Sequence, residues 1–94
     1  MNLNGKPMDY SALPEHMQGA MKRYMEHGIE PGSFLMAILT NDLMGAFGRA
    51  DHINRERIGD YCQWLYNNSP AGSHGSRESV NAWMKRRLTE ESSP

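Results

Sequence analysis

Apolar residues along this chain recur three and four positions apart, which is the spacing that places them on one face of an α-helix. Four segments show the spacing, and they predict helices over about 14–27, 34–47, 52–67 and 76–89. No segment alternates between apolar and polar residues well enough to predict a strand. The pattern therefore predicts an all-α fold, a compact bundle of about four short helices.

Residues that favour helix ends mark the predicted boundaries. Pro14 suits a first helical turn, and Gly28 suits the position after a last turn. Ser33, Asp51 and Ser76 each precede a periodic run, so we expect their side-chain oxygens to accept hydrogen bonds from the helix starts that follow.

The ends of the chain are less patterned than the helical domain predicted over residues 14–89. We expect residues 1–13 to form an N-terminal arm that docks onto the domain, and residues 90–94 to form a polar, frayed tail. A chain of 94 residues buries a modest share of its surface. The second predicted helix, 34–47, is apolar on more than one face, so we expect it at the centre of the bundle and between the copies of a homo-oligomer.

Composition excludes several classes of protein. Ten basic and eleven acidic residues leave a formal net charge of −1, which disfavours a nucleic-acid binder. The longest apolar run is far shorter than a membrane span. Cys62 is the only cysteine, which rules out an internal disulfide and fits a reducing cytosol. Its place on the apolar stripe of the third helix predicts a buried, unreactive thiol.

Signatures of catalysis and metal binding are missing from the sequence. The four histidines are not spaced as metal ligands on a helix, and the serines lie at helix starts or in loops rather than in a nucleophile motif. We therefore expect no enzyme activity, no metal and no cofactor.

One polar cluster interrupts the apolar pattern around the junction of the second and third predicted helices. Its members are Asn41, Asp42, Arg49, Asp51 and Asn54. A network of helix caps and ion pairs would explain it, and this interpretation is favoured. The alternative is a pocket in which the arginine meets an anion while the carboxylates and amides meet sugar hydroxyls or base edges.

A second cluster surrounds the loop before the last helix. It consists of Trp64, Tyr66, Ser73, His74, Gly75, Ser76 and Arg77. Free backbone N–H groups at a helix start favour phosphate or carboxylate, and aromatic rings beside such a site can stack on a base. The plainer interpretation, a loop with a helix cap, is favoured here as well.

The chain also resembles a group of small uncharacterised proteins encoded by tailed bacteriophages. The likeness covers about three quarters of the chain, and it is carried by Tyr24–Leu35 (YMEHGIEPGSFL), Asn41-Asp42-Leu43, Arg49-Ala50-Asp51, Asn54, Trp64-Leu65-Tyr66-Asn67, Pro70, Gly75-Ser76 and Trp83. Many of the related proteins have tryptophan where this chain has His74. The resemblance implies a phage accessory protein in the host cytoplasm, a class whose members commonly counter host defence, some by capturing nucleotide messengers and others by blocking a host protein.

These observations favour a non-enzymatic binder of a small anionic ligand, with a host nucleotide immune signal as the first hypothesis. Arg49 and Arg77 would bind phosphate, and Tyr66 or Trp64 would stack on a base. The amides and carboxylates of the first cluster, Asn41, Asp42, Asp51 or Asn54, would recognise the polar groups of the ligand. The alternative is an inhibitor or adaptor that binds a host protein, with the methionines, Trp64 and Trp83 as its anchors.

Overall fold

The computed structural model describes residues 8–92 and contains six helices and no strand in that range. The helices are α1 (Glu15–His27), α2 (Ser33–Leu39), α3 (Leu43–Arg49), α4 (His52–Glu56), α5 (Ile58–Asn68) and α6 (Arg77–Ser92). The radius of gyration is 12.7 Å, close to the roughly 12 Å of a compact domain of this length. The predicted all-α class is confirmed, with six helices in place of about four.

The second predicted helix is divided into α2 and α3, so the prediction of one continuous helix from 34 to 47 was wrong. Asn41 takes a left-handed φ of 64°. Its N–H donates to the Ile38 oxygen at 3.2 Å, and the N–H of Asp42 donates to the Ala37 oxygen at 2.8 Å. This pair of bonds is the Schellman arrangement that ends a helix. The break was invisible to periodicity because the apolar spacing continues through it.

The third predicted helix is also divided, with Arg57 between α4 and α5. The Asp51 cap is confirmed, since its Oδ1 accepts from the Asn54 N–H at 2.7 Å. The Ser76 cap is confirmed as well, since its Oγ accepts from the Ser79 N–H at 3.1 Å. Ser33 is not a cap, because Gly32 occupies the cap position and α2 has no side-chain cap bond.

Both ends of the described chain add to the bundle. Before α1, Tyr10 stacks on Trp64 at 5.3 Å between ring centroids, and the Trp64 Nε1–H donates to the Asp9 oxygen at 2.8 Å. Residues 1–7 of the predicted arm lie outside the described residues. At the other end α6 continues to Ser92, so the predicted frayed tail is helical to that residue, and residues 93 and 94 lie outside the described part.

The core is one cluster of apolar side chains drawn from the segment before α1 and from α1, α2, α5 and α6, to which Ala46 of α3 and Ala50 add small side chains. Its members larger than alanine are Tyr10, Leu13, Met21, Tyr24, Met25, Phe34, Leu35, Met36, Ile38, Leu39, Ile58, Tyr61, Trp64, Leu65, Val80 and Trp83. Fully burying a large apolar side chain stabilises a fold by about 1.5–3 kcal/mol.

Burial differs from the sequence-based expectation at three kinds of position. Trp64, proposed from the sequence as a stacking residue or an interface anchor, is 2% exposed. Cys62, expected in the core, is exposed. The large apolar residues of α3 are exposed too, with Met44 at 88% and Phe47 at 50%, and only the small Ala46 of α3 is buried, whereas every residue from Phe34 to Leu39 is buried. The central helix is therefore α2 alone.

Gly28 joins α1 to α6 at a point where no other residue fits. Its φ is 71°, and an added Cβ would lie 2.6 Å from the Met84 carbonyl oxygen. Both the left-handed backbone and the close approach of α6 require glycine here.

We expect Gly28→Ala to lower the free energy of unfolding by about 1–3 kcal/mol, because it strains the backbone and pushes α6 away. Gly59→Ala is the matched control, since its added Cβ meets nothing within 4 Å and a helical alanine stabilises by up to about 1 kcal/mol. Urea unfolding followed by circular dichroism measures both. Equal stability of the two variants would contradict the assignment.

Candidate functional site

A pocket of about 350 Å³ lies between the turn before α2, the α2–α3 break and the start of α6. We call it the arginine pocket, and its polar lining consists of Glu30, Ser33, Thr40, Asp42, Arg49 and Arg77. Two guanidinium groups and two carboxylates therefore share one concave surface, beside the apolar side chains of Met36 and Ala37.

Asp42 and Arg49 form one wall of the arginine pocket from opposite ends of α3. The Asp42 carboxylate caps α3 by accepting from the Gly45 N–H at 2.9 Å, and its other oxygen lies 3.9 Å from the Arg49 Nη1. Both side chains are about half exposed, so the ion pair contributes little stability. Gly45 makes room for it, because an added Cβ would collide with the Asp42 carboxylate and come within 2.5 Å of the Arg49 Nη1.

Arg77 enters the arginine pocket from the first residue of α6. The Gly75 N–H donates to the Leu39 oxygen at 2.7 Å, which ties the loop to the end of α2. Gly75 itself has a φ of 114°, a value that favours glycine. The Arg77 side chain is exposed, and it makes no hydrogen bond or ion pair with any residue in the described range 8–92.

A second, smaller pocket of about 180 Å³ lies on the other side of the same loop. We call it the tyrosine pocket, and its lining is Ile38, Asn41, Cys62, Leu65, Tyr66, His74 and Gly75. Tyr66 is 83% exposed, whereas Ile38 and Leu65 are buried. An exposed aromatic residue and two buried apolar residues thus share this lining.

Hydrogen bonding fixes the tautomer of His74. The Ser69 hydroxyl donates to the Leu65 oxygen at 2.6 Å, and the Ser73 hydroxyl donates to the Pro70 oxygen at 2.7 Å. Each serine oxygen also lies near the His74 Nδ1, at 3.0 and 3.3 Å. Since both hydroxyl protons are already used, Nδ1 must carry the hydrogen and Nε2 is left as an acceptor. Burial lowers the pKa of His74, which favours this neutral form.

The structure separates the predicted site residues into three groups. Asp42, Arg49 and Arg77 line the arginine pocket, whereas Asn41, Tyr66, His74 and Gly75 line the tyrosine pocket. The remaining five support the fold, and they are Asp51, Asn54, Trp64, Ser73 and Ser76.

Those five residues have partners that explain them without a ligand. The hydrogen bond from the Asn54 N–H, with a smaller contribution from His16, holds the pKa of Asp51 below its usual value. Asn54 is buried and accepts from the Tyr61 hydroxyl at 2.7 Å. Ser73 is buried, and its backbone oxygen accepts from the Tyr24 hydroxyl at 2.6 Å. The capping interpretation of the first cluster therefore describes Asp42 and Asp51.

Four residues with a polar or thiol side chain line the two pockets without having been placed in the predicted site. Glu30, Ser33 and Thr40 complete the arginine pocket, and Cys62 lines the tyrosine pocket. Glu30 and Ser33 flank the Pro31-Gly32 turn, so their proximity to the turn was a usable signal. Nothing local indicates Thr40 or Cys62, because each reaches a pocket only through the packing of α2 against α5 and the loop.

Comparison with protein-family models, with curated proteins and with solved structures gives no match. The resemblance to phage accessory proteins therefore stays a prediction. Within residues 8–92, no cluster of three or more histidine, cysteine, aspartate or glutamate side chains is arranged to hold a metal ion. No helix in that range has both the length and the apolar character needed to cross a membrane.

The Asn41 backbone conformation gives a stability test that is independent of any ligand. We expect Asn41→Gly to be more stable than Asn41→Ala by about 1 kcal/mol, because alanine is disfavoured at a left-handed φ. Chemical denaturation of the two variants measures the difference. If Asn41→Ala proved the more stable of the two, the left-handed helix end would be wrong.

Proposed function

We propose that this protein binds a small anionic ligand in the arginine pocket and does not transform it. The observation that carries the proposal is that Arg49 and Arg77, from different helices, line one pocket of about 350 Å³. Arg77 has no partner in the described chain, and Arg49 has only a long, half-exposed contact with Asp42. Guanidinium groups suit carboxylate and phosphate because they offer paired N–H donors.

The other polar groups favour a ligand that carries hydroxyls beside its anionic group. Asp42 and Glu30 are hydrogen-bond acceptors at neutral pH and would repel a bare anion. The Thr40 hydroxyl donates to the Met36 oxygen at 2.7 Å, so towards the pocket it is an acceptor as well. A sugar phosphate would satisfy both the cations and the acceptors, whereas an inorganic anion would satisfy only the cations.

The phage resemblance supplies a biological setting for this binding. Within our proposal the ligand is a nucleotide signal of the host immune system, and the protein acts in the host cytoplasm by sequestering it. Tight binding without turnover is sufficient for that role, since the free concentration of the signal falls as the complex forms.

We expect isothermal calorimetry against cyclic and ADP-ribose-type nucleotides to detect binding tighter than millimolar. Arg49→Ala and Arg77→Ala should each weaken it about 10- to 100-fold, because each removes charged hydrogen bonds to the anion. Arg77→Lys should recover only part of the loss, since lysine lacks the paired donors.

Arg55→Ala is the matched control for these variants, because it removes an exposed arginine of α4 that does not line the arginine pocket. No binding tighter than millimolar to any nucleotide of the panel would exclude the proposal. Equal weakening by the Arg55 and Arg77 substitutions would show an effect of net charge alone.

A second candidate function, binding to a protein, is favoured by the exposed apolar side of α3. Leu43, Met44 and Phe47 are 47%, 88% and 50% exposed. The tryptophans expected to anchor such an interface, Trp64 and Trp83, are instead 2% and 3% exposed. An inhibitor or adaptor of a host protein would therefore use α3 in their place.

We also propose that the chain forms a homo-oligomer, and the exposed apolar residues of α3 are the observation that supports it. The sequence-based reason was surplus apolar surface on the second predicted helix, but α2 is covered within one chain. Helical spacing places Met44 and Phe47 on a different side of α3 from Asp42 and Arg49. Self-association through α3 would consequently leave the arginine pocket open.

Light scattering at high micromolar concentration should give a mass above the 10.7 kDa of one chain. Met44→Lys should lower it, because a charge would be buried at the contact. Ile29→Lys is the control, since Ile29 is exposed but lies outside α3. If the wild-type protein had the mass of one chain, self-association would be contradicted. The exposed side of α3 would then be available only for binding a different protein.

A further inference from the structure

The arginine pocket and the tyrosine pocket are immediate neighbours. Thr40 lines the first and Asn41 the second, and consecutive Cα atoms are about 3.8 Å apart. Arg77 lines the first and Gly75 the second, so their Cα atoms are at most about 7 Å apart. Both linings thus draw on the end of α2 and on the segment from Gly75 to Arg77, which the Gly75–Leu39 hydrogen bond ties to it.

The tyrosine pocket has the form of a subsite for a flat, unsaturated ring. Its volume of about 180 Å³ is small, and its lining includes the buried apolar residues Ile38 and Leu65. The Tyr66 ring is 83% exposed and makes no ring contact or hydrogen bond within residues 8–92. A free tyrosine face beside apolar residues is a surface on which a nucleobase stacks.

Polar groups in the tyrosine pocket match the edge of a base. The His74 ring directs Nδ1–H towards Ser69 and Ser73, which leaves Nε2 to accept a hydrogen bond from an exocyclic amino group. The Asn41 side chain lines the same pocket and offers both an N–H₂ donor and a carbonyl acceptor. The neutral His74 ring and the Asn41 amide are both uncharged, which suits an uncharged nucleobase.

We propose that the two pockets form one site for a nucleoside phosphate, with the base in the tyrosine pocket and the phosphate in the arginine pocket. The inference rests on the proposed function and adds the base subsite to it. The ribose then crosses the junction at Thr40 and Asn41, where its hydroxyls meet the acceptors of the arginine pocket. Tyr66 stacks on the base, while Arg49 and Arg77 hold the phosphate.

Cys62 provides a direct readout of the base subsite. Its thiol is exposed, it lines the tyrosine pocket, and it is the only cysteine in the chain. Alkylation by iodoacetamide, followed by mass spectrometry, therefore reports access to this pocket alone. Adenosine 5′-diphosphate and guanosine 5′-diphosphate should slow the alkylation severalfold, whereas ribose 5-phosphate, which lacks a base, should leave its rate unchanged.

Calorimetry with the same three compounds separates the base subsite from the phosphate subsite. Tyr66→Ala should weaken binding of the better nucleoside diphosphate about 5- to 100-fold and leave ribose 5-phosphate binding unchanged. Tyr66→Phe should keep most of the affinity, since it keeps the ring. Gln63→Ala, an exposed substitution on the same helix that does not line either pocket, is the control for α5.

The outcomes distinguish failure of this inference from failure of the proposed function. If ribose 5-phosphate and the nucleoside diphosphates bind equally, and Tyr66→Ala has no effect, the base subsite is wrong while anion binding stands. If the nucleoside diphosphates bind with sensitivity to Arg77→Ala but do not protect Cys62, the base lies elsewhere. If none of the three compounds binds tighter than millimolar, both proposals fail for nucleotides of this class.

Discussion

The hydrogen bond from the buried Tyr24 hydroxyl to the Ser73 carbonyl, 2.6 Å long, is the interaction on which the rest of this structure depends. Burial of the phenol raises its pKa, so the group stays neutral and remains a donor. The Tyr24 backbone oxygen meanwhile accepts from the Trp83 Nε1–H at 3.2 Å and from the Gly28 N–H at 3.0 Å. One residue of α1 therefore fixes the long loop, α6 and the end of its own helix. A buried carbonyl left without this donor costs about 1–3 kcal/mol.

Both candidate pockets follow from that anchor. With Ser73 held against α1, the next residues of the loop reach the end of α2, where the Gly75 N–H bonds to the Leu39 oxygen. The loop then presents His74 to one side and Arg77 to the other. The opposite wall exists because Asn41 and Asp42 end α2 and begin α3. The residues proposed to bind a ligand are therefore either residues that the fold itself requires or their neighbours in the chain.

Local features of the sequence predicted much of the fold but little of the site. Helical faces, the Gly28 helix end and the Asp51 and Ser76 caps depend on residues within one or two turns, so the chain displays them directly. Other features depend on how the helices pack against one another, namely the break at Asn41, the exposure of Cys62 and the burial of Trp64. The periodicity of a single segment cannot predict that packing. The meeting of Arg49 and Arg77 is a tertiary event of the same kind: the two arginines were each proposed to bind phosphate, yet their sequence separation gave no reason to place them in one pocket.

The contrast between the two arginines has a consequence for how an anion would bind. Arg49 begins 3.9 Å from the Asp42 carboxylate, so a ligand phosphate must compete with a fixed negative charge that α3 needs as its cap. Exposed pairs of this kind are worth only about 0.2–1 kcal/mol, which a phosphate bearing two guanidinium contacts exceeds. In the proposed complex Asp42 would therefore weaken the binding of every anion by a modest amount. Under the proposed function, a ligand whose hydroxyls bond to that carboxylate would recover the difference, so the Asp42 cap would favour a sugar phosphate over a bare anion.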